Sequence, residues 1–194
     1  MKKKIVIVGY GYCAFYLSKV LLKDNWNVYS ITRSNQKNTQ GNVKFISWYD
    51  NKGIENLINQ IDLILVCVPP FEGKDPFLEK FSNLFLNKNS SQKWIGYLSS
   101  TSVYGDHQGA WVDEYTKLRS NSKLGKTRID VENDWLCFSK KNNIDLTIFR
   151  LAGIYGPERN PFKNLNDENY RCVIKKNHIF NRIHVEDIAN IIMN

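Results

Sequence analysis

The sequence predicts an α/β protein built on a doubly wound parallel sheet with helices on both faces, and three observations support that class. Short apolar runs alternate with segments of helical periodicity through about residue 150. Two of the runs, 5–8 and 63–68, are continuous rather than alternating, as expected for strands buried on both faces. No internal repeat or low-complexity linker breaks the pattern, so strand–helix–strand units are expected throughout.

Each element has its own signal in the chain. Strands are predicted at residues 5–8, 28–31, 43–46, 63–68, 94–98 and 146–149. Helices are predicted at residues 12–23, around 54–58, at 76–87 and at 123–141. Pro69 and Pro70 end the fourth strand, because proline lacks the N–H that a strand uses. A polar, irregular stretch covers residues 156–171, and 183–194 is predicted to be a strand end followed by a helix.

Composition excludes several classes of function. The net charge is +8, but the lysines are scattered and form no basic face with interleaved aromatic residues, which argues against nucleic-acid binding. No apolar run is long enough for a membrane span or a signal peptide. Three histidines and four separated cysteines show no ligand spacing, so no metal site is predicted, and free thiols are typical of a reducing cytoplasm. The cysteines are Cys13, Cys67, Cys137 and Cys172.

The strongest motif follows the first predicted strand and begins the first helix. Residues 9–14 fit the pattern G-x-G-x-x-A. In this pattern Gly9 permits a tight turn, Gly11 lets the backbone approach a pyrophosphate, and Ala14 allows close packing of helix on strand. The backbone N–H groups of Tyr12 and Cys13 would then face the phosphates at the helix N-terminus. The sequence therefore predicts a Rossmann-type dinucleotide site, against the alternative of a glycine-bearing turn without a ligand.

The end of the second strand bears on the choice of cofactor. An acidic residue there usually binds the ribose 2′-OH of NAD, but this chain has Thr32, Arg33 and Ser34. An arginine beside hydroxyl groups suits the 2′-phosphate of NADP. We therefore expect NADP as the preferred cofactor and NAD as the alternative, unless Arg33 is only a solvated surface residue.

Three later segments carry a family resemblance. Residues 98–105 (LSSTSVYG), 149–157 (FRLAGIYGP) and 182–189 (RIHVEDIA) follow in this order. In order and spacing they resemble the extended short-chain dehydrogenase/reductase family, of the NAD-dependent sugar-nucleotide epimerase/dehydratase type. The resemblance covers essentially the whole chain and implies the strand order 3-2-1-4-5-6, with the cofactor across the switch point.

The resemblance also implies roles for individual residues. Val68 and Pro69 would lie against the cofactor, and Ala152 and Gly153 would line the nicotinamide side. Ser100 matches the catalytic Ser/Thr position, where its hydroxyl would bond a substrate oxygen, although a strand-end turn would use the same hydroxyl. His184 and Asp187 match a segment near the floor of the substrate cleft, but a packed histidine and a helix cap explain them better.

The chain departs from the family at its catalytic Tyr-x-x-x-Lys pair. Alignment on Gly125 and Glu132 places Leu124 at the tyrosine and Arg128 at the lysine. Leucine cannot transfer a proton, whereas arginine still donates hydrogen bonds and could hold the cofactor ribose. The resemblance is therefore to an atypical branch of the family.

Other groups could replace the missing phenol, although none has supporting spacing. They are Tyr104, Tyr115, Tyr155 and the pair of Ser122 and Lys126, the last better explained as a surface helix start.

The resulting hypothesis is an NAD(P)-binding Rossmann domain at 1–150, followed at 151–194 by the start of a substrate-binding region that we expect to be incomplete. The first hypothesis is an oxidoreductase or epimerase with a non-standard acid/base that acts on a sugar-nucleotide or other carbonyl substrate. A non-catalytic NADP-binding sensor or regulator is the alternative. The oligomeric state stays open, with a homodimer as one option.

Overall fold

A six-stranded parallel sheet forms the centre of the protein. The computed structural model describes residues 2–33, 41–86, 93–160, 162 and 179–193. Within them the strands are β1 (Lys4–Val8), β2 (Asn27–Thr32), β3 (Lys44–Ser47), β4 (Leu63–Val66), β5 (Trp94–Ser100), β6 (Asp145–Leu151), β7 (Gly153–Tyr155) and β8 (Arg182–His184). The α-helices are α1 (Tyr12–Lys23), α2 (Asn51–Gln60), α3 (Pro76–Phe81), α4 (Lys123–Asn142) and α5 (Val185–Met193).

The strand order is β3-β2-β1-β4-β5-β6 with every neighbouring pair parallel, which confirms the predicted doubly wound sheet. The chain leaves β1 toward β2 and later returns to the other side of β1 with β4. The turns after β1 and β4 therefore diverge at one edge and open a crevice there, which is where open α/β sheets bind ligands. β7 and β8 form a separate two-stranded parallel sheet beyond that edge.

Both faces of the sheet are covered by helices. On one face, Val6, Val66 and Tyr97 belong to a buried cluster that also contains residues of α2, α3 and α4. On the other face, Ile7 and Leu65 pack in a second cluster with residues of α1 and α5. This two-sided burial explains the continuous apolar runs of β1 and β4. None of the helices in the described ranges is long and apolar enough to cross a membrane.

Several predicted boundaries differ from the structure. β4 ends at Val66, so Val68 lies in the following loop rather than in a strand. The helix predicted at 76–87 is α-helical only over α3 and continues as a 3₁₀ turn, Ser82–Phe85; residue 87 lies outside the described residues. β5 and β6 extend to Ser100 and Leu151, because they pair in register along all seven residues of each strand and so bring polar residues into the ladder.

A buried lysine ties the sheet to the end of α2. Lys93 is only 4% exposed, and its Nζ donates to the backbone oxygens of Ile58 (2.6 Å) and Ile61 (3.0 Å). Carbonyl groups at a helix C-terminus lack intrahelical partners and carry partial negative charge, so a cation stabilises them. Lys93 therefore fixes the end of α2 against the start of β5.

We expect Lys93→Met to lower the free energy of unfolding by about 2–4 kcal/mol, because the charged hydrogen bonds disappear and two carbonyl groups lose their partner. Urea unfolding followed by circular dichroism measures the change. Lys74→Met is the control, since Lys74 forms an exposed ion pair with Glu79 and its loss should have little effect. Equal stability of the two variants would contradict this account of Lys93.

Candidate functional site

The turn after β1 lies between the ends of β2 and β4. The Gly9 N–H donates to Ile31 O (2.9 Å), and Gly9 has a φ of +88°, a conformation that favours glycine. A Cβ atom at Gly9 would lie 2.8 Å from Val68 Cγ1, so the close approach to the loop after β4 leaves no space for a side chain. Ala14 is fully buried beneath the turn. These contacts agree with the packing that the G-x-G-x-x-A pattern predicts.

The N-terminus of α1 faces open space. Gly11 is the N-cap with a φ of −100°, no side chain accepts a hydrogen bond from the cap region, and the first turn contains no acidic residue. A Cβ atom at Gly11 would meet no atom within 4 Å in the described structure. The free N–H groups of the first turn and the partial positive charge of the helix end therefore point at a cradle that suits a phosphate group.

The predicted cofactor-choice residues lie at the same edge of the sheet. β2 ends at Thr32, whose backbone oxygen accepts from Trp48 N (2.9 Å), and Arg33 follows with an exposed side chain. Ser34 lies outside the described residues. Arg33 therefore lies just beyond the C-terminal end of β2, the strand next to β1.

Ser100 and Arg128 lie on neighbouring elements. Ser100 ends β5, and its Oγ accepts a hydrogen bond from Ser102 N (3.1 Å), as in the strand-end turn that the sequence left open. Arg128, on α4, donates from Nη1 to Leu98 O (3.2 Å), so its guanidinium packs against β5 two residues before Ser100. Leu124, one helical turn before Arg128, is 78% exposed.

A buried polar cluster lies beside Arg128. Asp75 caps α3 through Oδ1, which accepts from the N–H groups of Phe77 and Leu78 (both 2.8 Å). Burial raises the pKa of Asp75, although the Leu78 N–H, the neighbouring Trp135 side chain, the Phe77 N–H and the Arg128 charge oppose the shift. Asp75 Oδ2, Tyr97 Oη and Trp135 Nε1 are buried near one another, and none of the three makes a hydrogen bond of ordinary geometry within the described residues. Hydropathy does not reveal this cluster, because Tyr97 and Trp135 count as core aromatics.

A second buried network connects α4 with β6. Glu132 is 1% exposed, and its carboxylate accepts from Arg150 Nη2 (2.9 Å) and Nε (3.1 Å) and from Ser99 Oγ (2.5 Å). Arg150 also donates from Nη1 to Tyr104 Oη (3.1 Å). A cavity of about 320 Å³ is lined by Tyr104 and Arg150 together with Asp113, Glu114 and Ile148.

This network bears on the candidate substitutes for the missing phenol. Tyr104 is only 8% exposed and its oxygen is held by Arg150, whereas Tyr115 is 87% and Tyr155 is 41% exposed. Ser122 Oγ accepts a hydrogen bond from Gly125 N (3.0 Å) and so caps α4, as expected if Ser122 and Lys126 belong only to the start of a surface helix.

The segment after β6 lies against the N-terminus of α1. Gly153 N donates to Asn181 O (3.1 Å), and the ring of Tyr155 packs edge-on against His184 (5.1 Å between centroids). Ala152, half-buried, precedes β7.

The turn after β7 contacts the first residue of α1. The Tyr12 hydroxyl donates to Pro157 O (2.7 Å), and the Arg159 guanidinium lies over the Tyr12 ring (5.5 Å to the centroid). Arg159 is not among the residues predicted from the sequence, where the one indication of a role is a cation soon after the Tyr-Gly-Pro segment.

His184 packs as the structural alternative predicts, but the predicted cap by Asp187 is wrong. His184 Nδ1 accepts from Glu186 N (3.4 Å), so the histidine rather than Asp187 bonds the first turn of α5. Asp187 is exposed in that turn, where a carboxylate complements the helix dipole. No group of three or more potential ligand residues suited to a metal ion occurs in the described ranges.

Comparison with known proteins gives relatives and fold neighbours. No known family model matches the chain. A functionally unknown conserved protein from Silicibacter pomeroyi DSS is 34% identical, with a TM-score of 0.87 over 99% of this chain and 67% of its own. Protein YeeZ from Escherichia coli (strain K12) is 28% identical over 98% of this chain and 72% of its own length.

An enzyme structure with a bound dinucleotide shares the fold. The dTDP-glucose 4,6-dehydratase from Bacillus anthracis, solved in complex with NAD, is 15% identical, with a TM-score of 0.74 over 98% of this chain and 70% of its own. At that identity the likeness establishes the fold of this chain and not its activity.

The buried carboxylate of Asp75 gives a test that depends on pH. Because burial raises its pKa, the folded protein binds this proton more tightly than the unfolded chain, so its contribution to stability is greatest at low pH and falls as the pH rises through the raised value. Asp75→Asn keeps an acceptor for the α3 cap and removes the titration. We expect wild type to gain stability relative to Asp75→Asn as the pH falls from about 8 to about 4.

Urea unfolding at each pH measures the difference between the two proteins. Asp50→Asn, at the exposed cap of α2, is the matched control. A difference between wild type and Asp75→Asn that does not change with pH would show that the Asp75 carboxylate is not destabilised by burial.

Proposed function

Since the chain belongs to the same family as the functionally unknown Silicibacter pomeroyi protein, we propose its function from its own residues: it is an NAD(P)-binding protein of the epimerase/dehydratase type. The first reading is an oxidoreductase or epimerase that acts on a sugar-nucleotide or other carbonyl substrate. NAD is bound by the dTDP-glucose dehydratase that shares this fold, which supports a nicotinamide dinucleotide here.

One observation carries the proposal. The N-terminus of α1 has no side-chain cap, no acid in its first turn and open space in front of Gly11, and it lies where the turns after β1 and β4 diverge. A helix end in that position binds anions through its N–H groups. The cradle would hold the diphosphate on the N–H groups of Tyr12 and Cys13, while Val68 and Pro69 would lie against the cofactor.

The remaining residues would act on the nicotinamide half and on a substrate. A bound NAD(P) supplies a hydride acceptor or donor. Ser100 Oγ uses a lone pair in its bond with Ser102 N, so its own proton stays available for a substrate oxygen. Arg128 has five N–H donors and could bind the ribose with those not directed at Leu98. Ala152 and Gly153 would line the nicotinamide.

The division of the chain follows from these roles. Residues 1–150 would form the dinucleotide-binding domain, and 151–194 would begin the substrate-binding region. β7, β8 and α5 lie in the latter range. Substrate choice would then depend on residues after β6.

Leu124 favours a second candidate, a non-catalytic NADP-binding sensor or regulator. An exposed leucine stands where the family has its catalytic phenol, and general acid–base assistance typically contributes about 10²–10⁴-fold to a rate. Turnover of NADPH with a sugar-nucleotide or other carbonyl substrate would assign an enzyme. Tight dinucleotide binding without turnover across a broad substrate screen would assign the sensor.

Gly11→Val tests the dinucleotide site. Valine tolerates a φ of −100°, and its side chain would project into open space, so the fold should persist while the space for the diphosphate is filled. We expect the affinity for NADPH and NADH to fall by roughly 100-fold or more, equivalent to about 2.7 kcal/mol. Titration of nucleotide fluorescence measures it, with an unchanged melting temperature as the folding control. Gly11→Ala should lie between, and unchanged affinity of the valine variant would refute the site.

Arg33→Ala tests the preference for NADP. A charge-assisted contact with a 2′-phosphate contributes about 1.5–3 kcal/mol, so the NADPH affinity should fall roughly 10- to 100-fold while the NADH affinity stays constant. Lys44→Ala removes the same charge from the N-terminal end of β3, away from the end of β2 that Arg33 follows, and is the control. Equal losses for both nucleotides, or no loss, would show that Arg33 is a surface residue without a role in cofactor choice.

A further inference from the structure

We propose that Arg159 binds the diphosphate of the dinucleotide and closes the phosphate cradle from the side opposite the α1 N-terminus. The inference rests on the proposed function for its ligand. It adds a binding residue that belongs neither to the G-x-G-x-x-A motif nor to the six-stranded sheet.

The first step is that Arg159 is held on a defined turn. Gly156 and Arg159 exchange two backbone hydrogen bonds of 3.0 Å each. Pro157 occupies the second position of this turn, and Glu158 occupies the third with a φ of +62°, the pattern of a type II turn. A left-handed residue that is not glycine is uncommon there. The turn therefore presents Arg159 from a fixed backbone rather than from a loose loop.

The second step is that the turn is fastened to α1. The Tyr12 hydroxyl donates a hydrogen bond to Pro157 O (2.7 Å), which ties the turn to the first residue of α1. A Cβ atom at Gly156 would lie 2.7 Å from Tyr12 Oη and 3.2 Å from His184 Nε2, so the turn packs against this pair without spare room. The turn and the phosphate cradle therefore have a fixed relation.

The third step is the position of the charge. The Arg159 guanidinium lies over the ring of Tyr12, the first residue of α1. Burial raises the pKa of the Cys13 thiol, and the Arg159 charge partly opposes that shift, which places the guanidinium near the second residue of α1 as well. The charge therefore lies beside the start of α1 and adds to the positive potential of the helix N-terminus.

The fourth step is that this charge is available to a ligand. Arg159 is exposed, and none of the ion pairs among the described residues involves it, whereas Arg150 is paired with buried Glu132. Stacking on Tyr12 occupies a face of the guanidinium and leaves its in-plane N–H groups to donate. That planar fork matches two phosphate oxygens at once. A diphosphate between the α1 N-terminus and Arg159 would be contacted from both sides.

The test is equilibrium titration of wild type and Arg159→Ala with NADH, ADP, inorganic pyrophosphate and adenosine. We expect Arg159→Ala to weaken NADH and ADP by roughly 10- to 100-fold and to leave adenosine unchanged, because only the phosphate contact is lost. Arg159→Lys should recover part of the loss, since lysine keeps the charge without the planar fork. Lys19→Ala is the matched control: it removes an exposed cation over the Phe15 ring (4.3 Å), farther along α1.

The outcomes separate this inference from the proposed function. Tight NADH binding by wild type with equal affinity for Arg159→Ala would overturn the inference and leave the proposed function standing. If Arg159→Ala binds NADH as wild type does but loses binding of UDP, measured at saturating NADH, Arg159 contacts a substrate diphosphate and the inference is overturned. If wild type binds pyrophosphate but not NADH, the proposed function fails, and dependence of that binding on Arg159 still supports a diphosphate site. No binding of any phosphate compound would overturn both.

Discussion

The close approach of Gly9 to the loop after β4 is the constraint on which the rest of the site depends. A Cβ atom at Gly9 would lie 2.8 Å from Val68 Cγ1, so glycine alone lets the chain turn directly from β1 into α1 at this point. The turn brings the N-terminus of α1 to the crevice between the ends of β1 and β4. Burial of Ala14 then holds the helix close to the sheet, and the free N–H groups of its first turn face open space.

Two buried polar groups organise the opposite side of the sheet. Glu132 joins α4 to β5 through Ser99 and to β6 through Arg150, and Asp75 caps α3 beside Arg128. A buried ion pair offers little net stability compared with apolar packing, but removal of one partner leaves an uncompensated charge. The pair of Glu132 and Arg150, with the bond from Ser99, therefore holds together α4 and β5, the elements that carry Arg128 and Ser100.

The proposed phosphate cradle and Leu124 lie on different elements of the fold. The phosphate cradle depends on β1, α1 and the loop after β4, whereas Leu124 lies on an exposed turn of α4. A chain can therefore keep a dinucleotide fold while its chemistry changes or disappears, and fold alone does not decide between the enzyme and the sensor.

The residues alone predicted a doubly wound parallel sheet and a tight glycine turn after the first strand, because apolar periodicity and glycine spacing are local properties of the chain. The strand order was an expectation from the family resemblance. Apolar periodicity predicted β5 and β6 too short, because Ser99 and Arg150 are polar. In the structure these two residues pair with each other in the ladder between β5 and β6. Only the tertiary structure decided that Ser100 bonds Ser102, that Asp75, Tyr97 and Trp135 share one buried cluster, and that Arg159 reaches the start of α1. Tyr12 and Arg159 are far apart in the chain, and their contact depends on how β7 and the following turn pack across the edge of the sheet. No local sequence pattern indicates a contact between residues so far apart in the chain, so the polar partners of the site can be identified only in the folded structure.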